Sequence, residues 1–130
     1  MLNIHGNLKK GGIYVFDIFN LNYLKHTDNI TKLTLDRLAI LKERTVREVQ
    51  FSYVTYEGIL ASYSTYFEQT HHRQPVKISK DTNTLQCYTA DELRGMLSEN
   101  GFTILEQTDI NGEKLSSFDT ERILTTAKKI

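Results

Sequence analysis

Two glycines followed by an apolar run, Lys10-Gly11-Gly12-Ile13-Tyr14-Val15-Phe16-Asp17-Ile18, restrict what this chain can become more than any other stretch. Glycine reaches positive φ without steric cost, so the pair reads as the stop of a short helix over residues 1–8. Leu2, Ile4 and Leu8 are the apolar positions of that helix, and Lys9 and Lys10 suit its negative C-terminal pole. The run that follows is β-branched and aromatic, nearly continuous rather than alternating. A strand apolar on both faces is expected to be buried on both, inside a parallel sheet covered by helices. Such a strand needs neighbours, and only twelve residues precede it.

Further along, the period changes. Residues 20–42 are ambiguous: Leu35, Leu38 and Leu41 fall at helical spacing, but no firm cap precedes them. From Val46 the period is two. Val49, Phe51, Tyr53 and Thr55 share one face, and after Tyr56-Glu57-Gly58 the residues Ile59, Ala61, Tyr63, Thr65 and Phe67 share the facing one, which predicts a β-hairpin. Gln50, Ser52, Ser62 and Ser64, between them, are expected to face water or a ligand. Val76 to Ser79 and Leu85 to Tyr88 extend this antiparallel layer. Thr89-Ala90-Asp91-Glu92 has the form of a capping box, in which the Thr89 hydroxyl and the Glu92 carboxylate each take a backbone amide of the other. It opens the one clear helix of the chain, with Leu93, Met96 and Leu97 as apolar stripe and Gly101 as stop. Phe102 to Gln107 then reads as a strand, Asn111-Gly112 as a turn, and Arg122 to Ala127 as a closing strand antiparallel to a neighbour.

Composition removes several classes. Sixteen basic residues balance sixteen acidic ones, so no global field draws the chain to nucleic acid or to a membrane surface. The one cysteine, Cys87, rules out an internal disulfide and a thiolate metal cage, and suits a buried structural thiol. No apolar stretch reaches the roughly twenty residues of a spanning helix. The expectation is a single unit over residues 1–130, cytoplasmic, with no metal.

Two separated motifs carry a resemblance to a known family. Leu8-Lys9-Lys10-Gly11-Gly12-Ile13-Tyr14-Val15-Phe16-Asp17 resembles the L-K-P-G-G turn and fifth strand of class I S-adenosylmethionine-dependent methyltransferases. Tyr88-Thr89-Ala90-Asp91-Glu92-Leu93, with Leu97 and Asn100-Gly101-Phe102, resembles their Y-T-x-x-E-L helix and sixth strand, and Arg122 to Lys129 is similar to their last strand. The resemblance implies an α/β fold, α+β within this fragment: the C-terminal half of a Rossmann-like methyltransferase, a mixed sheet with an antiparallel insertion at residues 45–87. Small-molecule N-methyltransferases of the glycine N-methyltransferase kind have a comparable hairpin there as a lid over the substrate. The family binds S-adenosylmethionine in its first half, through a Gly-rich turn after strand one and an acidic residue ending strand two, and neither is present here. Gly11-Gly12 precedes its strand and cannot replace that turn. The chain is therefore expected to be the substrate side of a methyltransferase acting on a small molecule, binding no S-adenosylmethionine alone. Its uncovered strand edge is expected to self-associate or to take a donor-binding half. A noncatalytic α+β binding or oligomerisation module derived from the same fold is the alternative.

The site candidates follow from that frame. Ligands of doubly wound folds lie outside the carboxyl ends of the parallel strands, which singles out Asp17 and Asn20. A carboxylate there holds an amine, or removes its proton, so that the lone pair attacks a methyl group. The competing reading has Asp17 bonding nearby amides in a turn. In the glycine N-methyltransferase-like enzymes an Arg follows this Asp by two residues and grips a carboxylate. Phe19 stands there here, which favours a less anionic acceptor. His71-His72-Arg73 is a poor metal set, since adjacent side chains of a strand point to opposite faces, but His72 and Arg73 would touch substrate if the insertion is a lid. Tyr53, Tyr56, Tyr63, Tyr66 and Phe67 read either as hairpin packing or as a cage for a methylated ammonium, with Tyr56 the substrate-side candidate.

Overall fold

The computed structural model describes residues 2–26, 32–41, 44–70 and 73–130. Among these residues lie α1 (Leu2–Asn7), β1 (Ile13–Phe19), α2 (Leu21–His26), β2 (Lys32–Leu41), β3 (Arg44–Val54), β4 (Ile59–Gln69), β5 (Val76–Gln86), α3 (Ala90–Glu99), β6 (Phe102–Thr108) and β7 (Arg122–Lys129). They fall into two compact units, Met1–Asp28 with Cys87–Ile130, and Asn29–Gln86. No helix among the described residues is long and apolar enough to cross a membrane.

The first unit is a three-stranded sheet in the order β1-β7-β6 with every pair antiparallel. The turn before β1 is closed by a bond from the Gly12 amide to the Lys9 carbonyl, with Gly11 at φ +79°, a conformation that a side chain rarely adopts. α1 ends at Asn7, just ahead of that turn. The capping box of α3 is present: the Glu92 amide donates to Thr89 Oγ1 and the Thr89 amide to Glu92 Oε2. Leu93 and Leu97 of α3 are buried, Gly101 follows at φ +78°, and Phe102 joins Leu97 and Ala127 in a core flanked by Ile4, Leu8, Tyr14, Phe16 and Ile104. Cys87 is fully buried, as a structural thiol should be.

One expectation about this sheet is corrected. β1 is not a parallel strand buried on both faces. It lies at the edge of the sheet, pairs antiparallel with β7, and alternates: Tyr14, Phe16 and Ile18 are half-buried, while Ile13 and Val15 are 48% and 54% exposed. An unbroken apolar run reports what a strand carries but not what covers it. The only parallel pairing among the described residues is a lone bridge between Asn20 and Tyr88.

The second unit is a four-stranded antiparallel sheet in the order β2-β3-β4-β5. The hairpin of β3 and β4 turns through Thr55-Tyr56-Glu57-Gly58, where the Ile59 amide donates to Thr55 Oγ1 and Gly58 has φ +87°. Leu35 and Leu38 belong to β2, not to a helix; a bulge between Leu33 and Leu35 breaks the alternation that would have marked the strand. A second difference concerns the two faces. Of the four residues expected to face water or a ligand, Ser52 and Ser64 are withdrawn from solvent at 6% and 4% exposure and Gln50 and Ser62 are half-buried, with Glu48 of the same face at 6%, whereas Phe51 and Tyr63 of the other face are 47% and 44% exposed. Pairing explains the reversal. Each polar side chain finds its partner on the next strand, which removes most of the cost of leaving water.

Candidate functional site at the end of the first strand

β1 ends at Phe19, and its last residues meet the start of β7 because the two strands run antiparallel, with Asp17 opposite Leu124 and Phe19 opposite Arg122. That register brings the Arg122 guanidinium onto Asp17. Nε and Nη2 both lie 2.5 Å from Asp17 Oδ2, and the guanidinium carbon stands 4.4 Å from the centre of the Phe19 ring. Both side chains of the pair are about one-third exposed. Oδ2 carries both guanidinium bonds, and Oδ1 has no hydrogen-bond partner among the described residues. The geometry thus offers one fixed acceptor oxygen beside a cation held flat by an aromatic ring, at the rim where the strand ends.

Asn20 is placed differently from Asp17. It is 1% exposed, and its amide is engaged on the backbone: Nδ2 donates to the carbonyls of Ser117 and Thr120 at 2.9 and 2.8 Å, and Oδ1 accepts from the Asn22 amide. Its own amide donates to the Glu121 carbonyl, and the Leu21 amide to the Tyr88 carbonyl. The Asn20 side chain therefore ties the end of β1 to the loop before β7, and the backbone at Leu21 ties it to the lead into α3. Beside it lies a cleft of about 160 Å³ whose polar lining includes Asn22, Thr89, Asp91, Arg94 and Ser117.

The remaining candidates lie in the second unit. Tyr56 is in the hairpin turn and 92% exposed; Arg73 is exposed just before β5; His72 lies outside the described residues. The five aromatics do not converge. Tyr53 and Tyr63 stack on one face with centroids 6.0 Å apart, Tyr66 lies on the opposite face, and Tyr56 is in the turn. That pattern is cross-strand packing, not a cage.

The sequence reading missed two clusters. Arg122 becomes visible only when the last strand is laid antiparallel on the first. The other is Glu48, whose Oε2 takes Arg37 Nε and Nη2 at 2.7 Å and whose Oε1 takes the Tyr66 hydroxyl at 3.1 Å. Burial alone would push this carboxyl up, but the bonds from Arg37, Tyr66 and Ser64 outweigh it and hold the group below the usual carboxylate range. The same carboxylate pushes the Tyr66 phenol up.

The Gly11 amide donates to the Lys129 carbonyl and the Gly12 amide to the Lys9 carbonyl, so neither is directed at a ligand.

Neither the family models nor the curated proteins contain a match to this sequence. Solved structures do match. An S-adenosylmethionine-dependent methyltransferase from Clostridium acetobutylicum superposes with a TM-score of 0.70 at 20% identity, over 97% of this chain and 48% of that one. An amino pentose methyltransferase of calicheamicin biosynthesis from Micromonospora echinaspora, solved with its methyl donor bound, gives 0.66 at 14% identity, over 98% and 48%. The CcbJ methyltransferase from Streptomyces caelestis gives 0.65 at 12%, over 98% and 50%. The chain spans about half the length of the methyltransferases it matches, and its fold is that of a segment of the class I methyltransferase fold.

Proposed function

We propose that this chain supplies the acceptor side of an S-adenosylmethionine-dependent methyl transfer to a small-molecule amine, the donor being bound by segments outside these residues. The observation that carries the reading is the Asp17–Arg122 pair at the carboxyl end of β1, in a chain that matches methyltransferases over nearly its whole length. Asp17 Oδ1 accepts an N–H of the acceptor and orients the nitrogen; Arg122, bonded to Oδ2, fixes that carboxylate in direction. Asn20 acts by holding the rim together rather than by touching the acceptor. Tyr56, His72 and Arg73 remain the further substrate-side candidates of this reading. The donor-binding half docks along the unpaired edge of β1, beside the exposed Ile13 and Val15. In the cell the protein works in the cytoplasm.

Calorimetry tests this. The chain alone, titrated with S-adenosylmethionine, is expected to give no binding heat; mixed with the polypeptide encoded directly upstream, it is expected to bind and to methylate amines, and Asp17→Asn to reduce the rate at least tenfold. Micromolar binding by the chain alone, or an inert mixture, refutes the reading.

A further inference from the structure

The four-stranded sheet carries its large apolar side chains in the open. On one face, register sets Leu38, Arg47 and Phe67 in a row across β2, β3 and β4, Asp36, Val49 and Thr65 in the next, and Phe51 opposite Tyr63 in a third. Leu38 is 62% exposed, Phe51 47% and Tyr63 44%, and Ile40, opposite Thr45 at the end of the same face, is 81% exposed. β5 closes the three rows with Lys77, Lys80 and Thr82. An antiparallel sheet with one wet face ordinarily turns its apolar residues inward. Exposed apolar rows bordered by charge mark a surface that another molecule covers.

We infer that this face is an interface with a second copy of the chain, the two sheets stacked about a two-fold axis that runs along the strands midway between β3 and β4. Its size suits a dimer. Four strands about 4.8 Å apart and ten residue steps of about 3.4 Å give a face of about 19 by 34 Å, roughly 650 Å² per copy and 1,300 Å² in all, against the roughly 1,200–2,000 Å² of stable interfaces. Charge selects a second copy over an unlike partner. The middle row has a carboxylate at its β2 end, Asp36, and an ammonium at its β5 end, Lys80, both exposed. Such a row is complementary to its own reversal. The axis reverses every row, so that β2 of each copy faces β5 of the other and β3 faces β4. Asp36 then meets Lys80, Arg47 meets the Phe67 ring, and Phe51 meets Tyr63, each contact made twice. Stacked sheets cross at up to about 30°, which displaces the edge pairs along the strand, and the flexible Lys80 stem spans that offset. The interface involves neither the edge of β1 nor a methyl donor, so it stands apart from the methyl-transfer reading.

Sedimentation equilibrium of the full chain carrying Val15→Lys, which charges the β1 edge, tests it. A reversible dimer is expected in that background. Phe51→Glu raises its dissociation constant about a hundredfold, with unshifted amide signals of Glu48 and Ser64 on the opposite face reporting a folded sheet. Lys80→Glu sets two carboxylates together and raises the constant about tenfold at low ionic strength, a difference that high salt removes. In dimers mixed from labelled and unlabelled copies, isotope-filtered Overhauser contacts are expected between the Phe51 and Tyr63 rings of different copies. A monomer at millimolar concentration, a dimer that survives Phe51→Glu, or a dimer indifferent to Lys80→Glu at low salt overturns the inference. So does a monomer whose Phe51 and Tyr63 signals move only on adding phosphatidylcholine vesicles, which assigns the face to a lipid surface.

Discussion

Replacing Glu48 by Gln tests whether the polar face contributes to stability through an ionised carboxylate. The wild-type side chain is 8% exposed and takes bonds from Arg37, a guanidinium that is itself 66% exposed, from the Tyr66 phenol and from Ser64. An amide keeps one carbonyl oxygen, so it satisfies either Arg37 or Tyr66, and its NH2 meets a donor at the other. The loss is one charge-assisted pair, discounted for the exposed Arg37, plus one neutral bond: about 1–2 kcal/mol at pH 7. The pH dependence has a definite sign. Because the folded-state pKa is held below the unfolded value, the contribution is complete above the ordinary glutamate range and disappears as pH falls through the folded value. Urea melts of both proteins at pH 7 and at pH 2 are the assay. The gap between them is expected to narrow from pH 7 to pH 2, as the wild-type carboxyl loses the charge that distinguishes the two side chains. A difference independent of pH, or one below about 0.3 kcal/mol at pH 7, refutes the assignment of an ionised, stabilising Glu48.

Other outcomes are expected in the first unit and at the edges of the fold. Phe102→Ala removes the largest fully buried side chain and costs about 3–5 kcal/mol, enough to unfold a unit of this size; near-ultraviolet dichroism at 25 °C reads the loss. Thr89→Ala removes half of the capping box and costs about 1 kcal/mol in a thermal melt. Gly101→Ala is destabilised twice over, by φ +78° and by a Cβ that would stand 2.9 Å from His5 Nε2, so adding His5→Ala restores part of the loss and not all of it. Light scattering of the chain alone is expected to show self-association that Val15→Lys reduces; a monodisperse, thermally robust monomer counts against an uncovered edge.

Much of this fold was legible, and the parts that were not share a cause. The capping box of α3 and the positive-φ glycines at 11 and 101 are local codes, complete within a few residues, and they stand in the structure as read. The hairpin of β3 and β4 was legible from its period. What covers each face was not, because burial is decided by partners distant in sequence: β1 meets β7 across more than one hundred positions, and its apolar run is half exposed. Asp17 could be singled out as a strand-end carboxylate, whereas its partner Arg122 could not, since 105 residues separate them. In β2 a bulge hides the period that would have identified the strand.

The three-stranded sheet explains why a partner is needed where it is proposed. Leu97, Phe102, Ala127, Tyr14 and Phe16 gather with Ile4 and Leu8 in one core, so α1 and α3 both lie on the same face of the sheet. The other face keeps Ile13 and Val15 in view, on a strand whose second edge pairs with nothing described. A sheet of the doubly wound kind is covered on both faces. An apolar face and an unpaired edge on the same strand are met together by one addition, a neighbouring strand with its own covering helix, and a lone helix or loop would satisfy only one of them. The donor-binding half proposed above would bring both, and it would also complete the rim at which Asp17 and Arg122 stand paired.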